Sequence, residues 1–468
     1  MTSTTTRGGN AAKRTGATRA VAEYAAGLRF EELPASAIEH AKQALLDCIG
    51  IAVRARFDAE SSGPIARAVG ELGASGTCTG IGHGALYPPQ YAALLNGAYF
   101  HTLDYDDTHV GGSLHPAAPI VAATLAMVEE SGASGAALLR GIIAGYDVIA
   151  HISETASAKV HYDRGFHPTA TAGTFGATAA IYNALDGTAD QIENAFGINV
   201  SQAAGSLQFL ENGSWIKRLH VGFTAHNAVL AYRFSQAGVV GSSKALEGGS
   251  GFYHAYSDGV DPDAYLDRLG KPHAIEETAF KPYPSCRFTH AALDELLAMV
   301  LELDLKPEEV ESLRIALPRT GMDLVAYPEA YKRAATSVVD GQFSMYFLAA
   351  VAILKRRFGW DDYEMLGDPR IAALVQRIRV EEDPEVEKLY PRMAALVELR
   401  ARGKSLRRLS DTPKGEPEKP LSWGEIIAKF DDLAGVAYAP ARRERIVQLV
   451  RGLDRAADVR ALTEQLGA

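Results

Sequence analysis

Cysteine is scarce in this 468-residue chain: Cys48, Cys78 and Cys286 stand apart, with none of the paired spacings of zinc or iron-sulfur sites. That excludes a cluster-dependent dehydratase, which needs closely spaced thiolates. It also points to a reducing compartment, read as the cytoplasm. No run reaches the roughly 18 apolar residues of a membrane span; the longest candidate, 343–354, reads as a buried helix. A secretory apolar segment is missing as well. Neither a GxGxxG fingerprint nor a GxxxxGK[ST] loop occurs, so nucleotide binding of those kinds has no support. Positive charge is in deficit, and the net charge of −10 argues against a nucleic acid or an anionic membrane as partner. Acids are missing from the first twenty-two residues, which are rich in Thr and Gly and carry Arg7, Lys13, Arg14 and Arg19. Residues 1–20 are therefore expected to form a disordered tail.

What is present describes an ordinary globular protein, 47% apolar and 22% charged, long enough for more than one domain. Helical periodicity dominates up to about residue 270. An apolar stripe follows Pro34, and further helices are expected at 117–130, 136–153, 171–185 and 222–238, with a capping box from Thr188 and Gln191 opening another. Recurrent small residues, Gly141, Gly145, Gly173 and Gly176, suggest closely packed helices. The period then changes. Leu313, Ile315 and Leu317, then Ile378 and Val380, then Val397, Leu399 and Ala401 alternate as three strands of a half-exposed antiparallel sheet, with helices around 290–301 and 337–358 among them. Residues 411–420 read as a linker, and the capping box of Ser422 and Glu425 opens a helical tail. The expected fold is mainly α: an all-helical domain over 21–270, an inserted smaller α+β lid domain over 271–405, and residues 406–468 returning to the helical domain. Ligand binding is expected in the cleft between them.

The densest chemistry lies in His101-Thr-Leu-Asp104-Tyr-Asp106-Asp107-Thr108-His109, followed by His115-Pro116. If the helix that Pro88 opens continues to Thr108, offsets of three and four put His101, Asp104 and Thr108 on one face. Groups that accept, donate and orient protons would then meet, as general acid-base catalysis requires. Read alone, Asp106-Asp107-Thr108 could instead simply cap the next element, the less favoured reading because histidines flank the acids. Three other stretches add to it. His167-Pro168 precedes an expected helix start, which favours anions. Lys217 and Arg218 follow a turn at Gly213. Lys281, Cys286, Arg287 and His290 open the α+β region.

These stretches, with 201–205 and 413–417, resemble the MmgE/PrpD family in order along the chain. The family includes 2-methylcitrate dehydratases, cis-aconitate decarboxylases and iminodisuccinate epimerases. The resemblance implies a helical domain with an α+β lid, a site between them and commonly a homodimer. It implies catalytic roles for Asp104, Thr108, His115, His167 and His290, with Lys217 among the site residues. His109 is the alternative to His115, because the threonine-to-histidine spacing is one residue longer here than in the animal decarboxylases.

Lys217 and Arg218, helped by Lys281, suit a small carboxylate substrate. The leading expectation is a lyase without metal or other cofactor that dehydrates a 2-methylcitrate-like acid, with decarboxylation or epimerisation as variants within the family. A metal-dependent phosphohydrolase is the alternative from another class, because His and Asp clusters also hold divalent ions. A catalytically silent helical scaffold is the third.

Overall fold

A computed structural model describes residues 16–73, 75–211 and 214–468. The chain is mainly helical, with a few small sheets. Most of the expected tail, residues 1–15, lies outside the described residues; its end does not stay a tail, because a helix begins at Ala17 and buries Val21, Ala22 and Ala25.

The helical part is built around Ala35–Asp58, Pro89–Phe100, Ala117–Ser131, Gly135–Ala156, Gly173–Ala184 and Ile216–Gln236. Gly135–Ala156 corrects the expectation that nothing is apolar enough to span a membrane: by length and composition it is, yet most of it is buried as a core helix. The small residues act as expected. A Cβ on Gly145 would lie 2.9 Å from the Ala180 Cβ and 3.0 Å from the Gly176 carbonyl oxygen, so these helices touch backbone to backbone. At Gly222 it would lie 2.6 Å from the Leu94 carbonyl oxygen, which brings Ile216–Gln236 against Pro89–Phe100. Lys217, one turn before that crossing, is thereby carried toward His101, just past the end of the partner helix. The capping boxes at Thr188 and Ser422 form as expected.

The helix opened at the 88–89 prolines does not reach Thr108. It ends at Phe100, with Pro88 as its N-cap and Pro89 in its first turn. Tertiary contacts stop it. The carbonyls of Leu103, Asp104 and Tyr105, which a helix would use internally, accept from Gln342 Nε2 (2.7 Å), Lys281 Nζ (2.8 Å) and Lys429 Nζ (2.8 Å). Asp104 takes φ of +51°, a left-handed conformation that aspartate tolerates better than most residues. Thr108–His109 then pairs as a short antiparallel strand with Thr278–Ala279.

The alternating segments form one four-stranded sheet in the order Ile378–Glu382, Val310–Leu317, Ala395–Ala401, Lys404–Ser410. Two expectations change here. The first pair is parallel, because helical chain connects its strands, and Lys404–Ser410 adds an edge strand after a tight turn at Arg402-Gly403. The expected 337–358 helix is two helices, Val338–Gln342 and Met345–Lys355, because Ser344 leaves helical geometry to cap the second. The 411–420 segment is packed rather than free: Glu416 pairs with Arg287, and the Gly415 carbonyl accepts from Phe280. Beyond it, Trp423–Ala434 lies against Ala35–Asp58, tied by Lys429 to Asp47 at 2.7 Å and by Trp423 Nε1 to Glu39 at 3.0 Å.

Candidate active site

The turn after Phe100 places its polar groups in a buried cluster by tertiary contact, not by helical spacing. Asp104 Oδ1 lies 3.0 Å from Lys217 Nζ and 3.3 Å from Lys281 Nζ. Burial pushes the Asp104 carboxyl up, but the two ammoniums overcome this and hold it well below the usual carboxylate range. One carboxylate thus pairs with two cations from distant parts of the chain, one on the helix Ile216–Gln236 and one just after the strand Thr278–Ala279.

The histidines stand beside this trio. His101 Nδ1 lies 2.7 Å from Asp106 Oδ2, both side chains fully buried. His115 Nδ1 lies 2.7 Å from the Asp107 carbonyl and 3.6 Å from Asp106 Oδ2. The His101 ring is 4.8 Å from that of His115 and 5.8 Å from that of His167, and His167 is 5.7 Å from His220. Burial lowers His115 to about 3, His220 to about 4 and His167 well below its ordinary value, so each is a neutral imidazole at neutral pH. With His115 Nδ1–H donated to a carbonyl, its Nε2 is left as an acceptor. Asp107 has a structural task. Its Oδ1 accepts from Ala117 N at the start of Ala117–Ser131, and its Oδ2 accepts from the Tyr146 hydroxyl.

Of the groups anticipated from sequence, Asp104, His115, His167, Lys217 and Lys281 come together. Thr108 is buried nearby with no hydrogen bond on its Oγ1. His109 is turned away: its Nδ1 accepts from Gly112 N, and its Nε2 faces Glu154 at 4.0 Å. The placement therefore favours His115 over His109. Asn212 and Gly213, at the head of the Lys217 motif, lie outside the described residues.

Residues 19–264 match the MmgE/PrpD N-terminal domain, and residues 283–455 match the MmgE/PrpD C-terminal domain. The chain belongs to the MmgE/PrpD family. It is also similar to a cis-aconitate decarboxylase of Aspergillus terreus, 26% identical over 97% of this chain and 96% of the relative. The cis-aconitate decarboxylases of Mus musculus and Homo sapiens are each 24% identical over 81% of this chain, covering 78% and 79% of their own lengths. This family is enzymatic, and the chain is an enzyme.

Two anticipated residues of this MmgE/PrpD protein are occupied elsewhere. Arg218 donates to Ser61 Oγ at 3.0 Å instead of joining Lys217. His290 accepts from Arg287 Nη1 on Nδ1 (2.7 Å) and uses Nε2 on the Ser285 carbonyl (3.2 Å), so neither nitrogen is open to a substrate. Arg287, paired with Glu416, locks that ring as part of the scaffold.

Several residues that build the site were missed. Lys429 sends one ammonium to Asp47 Oδ1, the Tyr105 carbonyl and the Lys281 carbonyl, and lies 3.7 Å over the Tyr105 ring. Its signal was available: it sits three residues after Ile426 on an apolar stripe, where a lysine needs a buried partner. Asp47, inside the apolar run 44–49, carries the same signal. Gln342 had none.

Among the described residues, His101, Asp106 and His115 are the group whose potential metal-ligating atoms lie within 4.8 Å of one another. His101 Nδ1 is hydrogen-bonded to Asp106, and His115 Nδ1 to the Asp107 carbonyl, an arrangement suited to holding protons.

Proposed function

We propose that the protein is a lyase acting on a small tricarboxylate, releasing carbon dioxide from cis-aconitate or a close analogue with side chains alone. One observation carries this reading: the buried Lys281 and the partly exposed Lys217, with 24% of its side chain open, share a single carboxylate near the neutral imidazoles of His115, His167 and His220. An ammonium has three donors. Asp104 takes one from Lys217, leaving others for a substrate carboxylate, whose growing negative charge the lysines would offset. His115 is likewise partly exposed, with 15% of its side chain accessible. Decarboxylation breaks one carbon-carbon bond, leaves the electron pair on the carbon skeleton and consumes one proton. An imidazole is suited to supply it. The names of full-length relatives support this choice.

Dehydration of a 2-methylcitrate-like acid is the second reading. Thr108 Oγ1, buried without a partner among the described residues in the strand that follows Asp107, favours it as a contact for a leaving hydroxyl. The α+β region would act as a lid, since it supplies Lys281 across from Lys217. Incubation with cis-aconitate, 2-methylcitrate, citrate and iminodisuccinate, followed by NMR of products and measurement of carbon dioxide, tests the reading. Carbon dioxide and a five-carbon dicarboxylate are expected from cis-aconitate. Water loss from 2-methylcitrate without carbon dioxide would replace it with the dehydratase reading, and inertness toward all four acids would remove the tricarboxylate.

A further inference from the structure

Five buried side-chain atoms, four in this cluster and one on Thr108 in the same stretch of chain, have no hydrogen-bond partner among the described residues: Asp106 Oδ1, His101 Nε2, His167 Nδ1 and His220 Nδ1, with Thr108 Oγ1. Buried polar groups are nearly always paired, so such a concentration marks a place where chemistry is done. Of the five, His101 Nε2 belongs to the one ring whose other nitrogen is held by a carboxylate, Asp106, at 2.7 Å. A carboxylate on Nδ1 fixes the tautomer and ring orientation and leaves Nε2 as the position where a proton comes and goes.

We propose that His101, fixed by Asp106, is the proton donor of this enzyme, acting through Nε2. The proposal rests on the lyase reading and adds to it the residue that supplies the proton. In the step, the substrate's carbon-carboxylate bond breaks and carbon dioxide leaves. The electron pair moves through the carbon skeleton, and the Nε2–H bond of a doubly protonated His101 breaks as the new carbon-hydrogen bond forms. Nδ1–H stays on Asp106 throughout. The neutral ring is reprotonated from solvent through His115, whose ring lies edge-on at 4.8 Å and whose side chain is partly exposed. The groups that face His101 are Asp106, His115 and His167, with Lys217, Lys281 and His220 within electrostatic reach of the same cluster. His167 and His220, lowered by burial, have no carboxylate on either nitrogen among the described residues and so lack the partner that Asp106 gives His101. Lys217 and Lys281, engaged with Asp104, are left to bind carboxylates.

The test uses His101→Gln and Asp106→Asn in the full chain. His101→Gln should lower kcat by about 10²-fold or more, while the affinity for cis-aconitate, measured by calorimetry, changes by about threefold or less. Asp106→Asn should fall between wild type and His101→Gln. In D2O the wild type should exchange product hydrogens at the newly formed C–H, and His101→Gln should not. Turnover retained by His101→Gln, or affinity and turnover lost in equal proportion, would overturn the proposal. Histidine 15N NMR reads the tautomer without turnover: Nδ1 of His101 should carry the proton, and Asp106→Asn should change its signal. A proton on Nε2 with Nδ1 bare would overturn the assignment even if wild type acts on none of the acids, an outcome that separately removes the lyase reading.

Discussion

Replacing Lys217 with methionine, Asp104 with asparagine, and both together, measures how far one shared carboxylate organises the site. At 3.0 Å, with an effective dielectric near 20, the attraction between Lys217 and Asp104 is about 5–6 kcal/mol before desolvation takes most of it back. Lys217→Met leaves Asp104 paired with Lys281 at 3.3 Å, so its cost to folding should be only about 1–2 kcal/mol. Asp104→Asn leaves two ammoniums with no anion between them and should cost about 3 kcal/mol or more. In the double variant one cation is gone, so its loss should fall short of the sum by about 2 kcal/mol. Urea unfolding at pH 7 gives the three stabilities. Because the lysine also meets charge that grows during reaction, Lys217→Met should lower kcat/KM by about 10²-fold or more. Stability losses that add to within about 0.5 kcal/mol would show that the contact carries no energy, and near-native kinetics would reduce the motif to a structural one.

Lys429→Met should lower kcat/KM by about tenfold or more although it is not proposed to touch substrate, because the Tyr105 and Lys281 carbonyls lose their shared donor; unchanged kinetics with lowered stability would confine it to the core. His83, His109, His115, His151, His161, His167, His220 and His290 all titrate below their ordinary value in the folded chain. Unfolding therefore takes up protons, and stability, full above about pH 6.5, should fall toward pH 4 by up to about 1.4 kcal/mol per pH unit for each net proton. Asp107, pushed up to about 8, works against this by one proton over the same range. A urea midpoint unchanged between pH 7 and 5 would refute the burial argument. Prolonged chelator treatment should leave activity intact; a loss restored only by a divalent metal would favour the hydrolase alternative. Hydrogen exchange with a tricarboxylate should show protection at both 101–116 and 281–290, and protection confined to the helical region would exclude closure of a lid.

Helix positions were legible because burial of one face is written in the spacing of apolar residues and the ends in capping residues. The stripe after Pro34 became Ala35–Asp58, and Ser422 with Glu425 capped Trp423–Ala434. Alternation likewise disclosed three of the four main strands, whose cores are apolar; Lys404–Ser410, an edge strand with three basic residues, gave a weaker signal. Residue types that do proton and carboxylate chemistry were visible too, since Asp104, His115, His167, Lys217 and Lys281 stand in recognisable motifs. How they meet was not. Local periodicity extended a helix through Asp104. Three distant side chains, from Gln342, Lys281 and Lys429, instead captured the carbonyls at 103–105 and turned the chain. The same distant contacts decided that His290 is locked by Arg287, that Arg218 turns to Ser61, and that His101 carries a carboxylate on one nitrogen and no partner on the other among the described residues. Apolar burial follows a local period that sequence records, whereas a buried charge takes the partner that reaches it, and only the folded chain sets which partners are within reach.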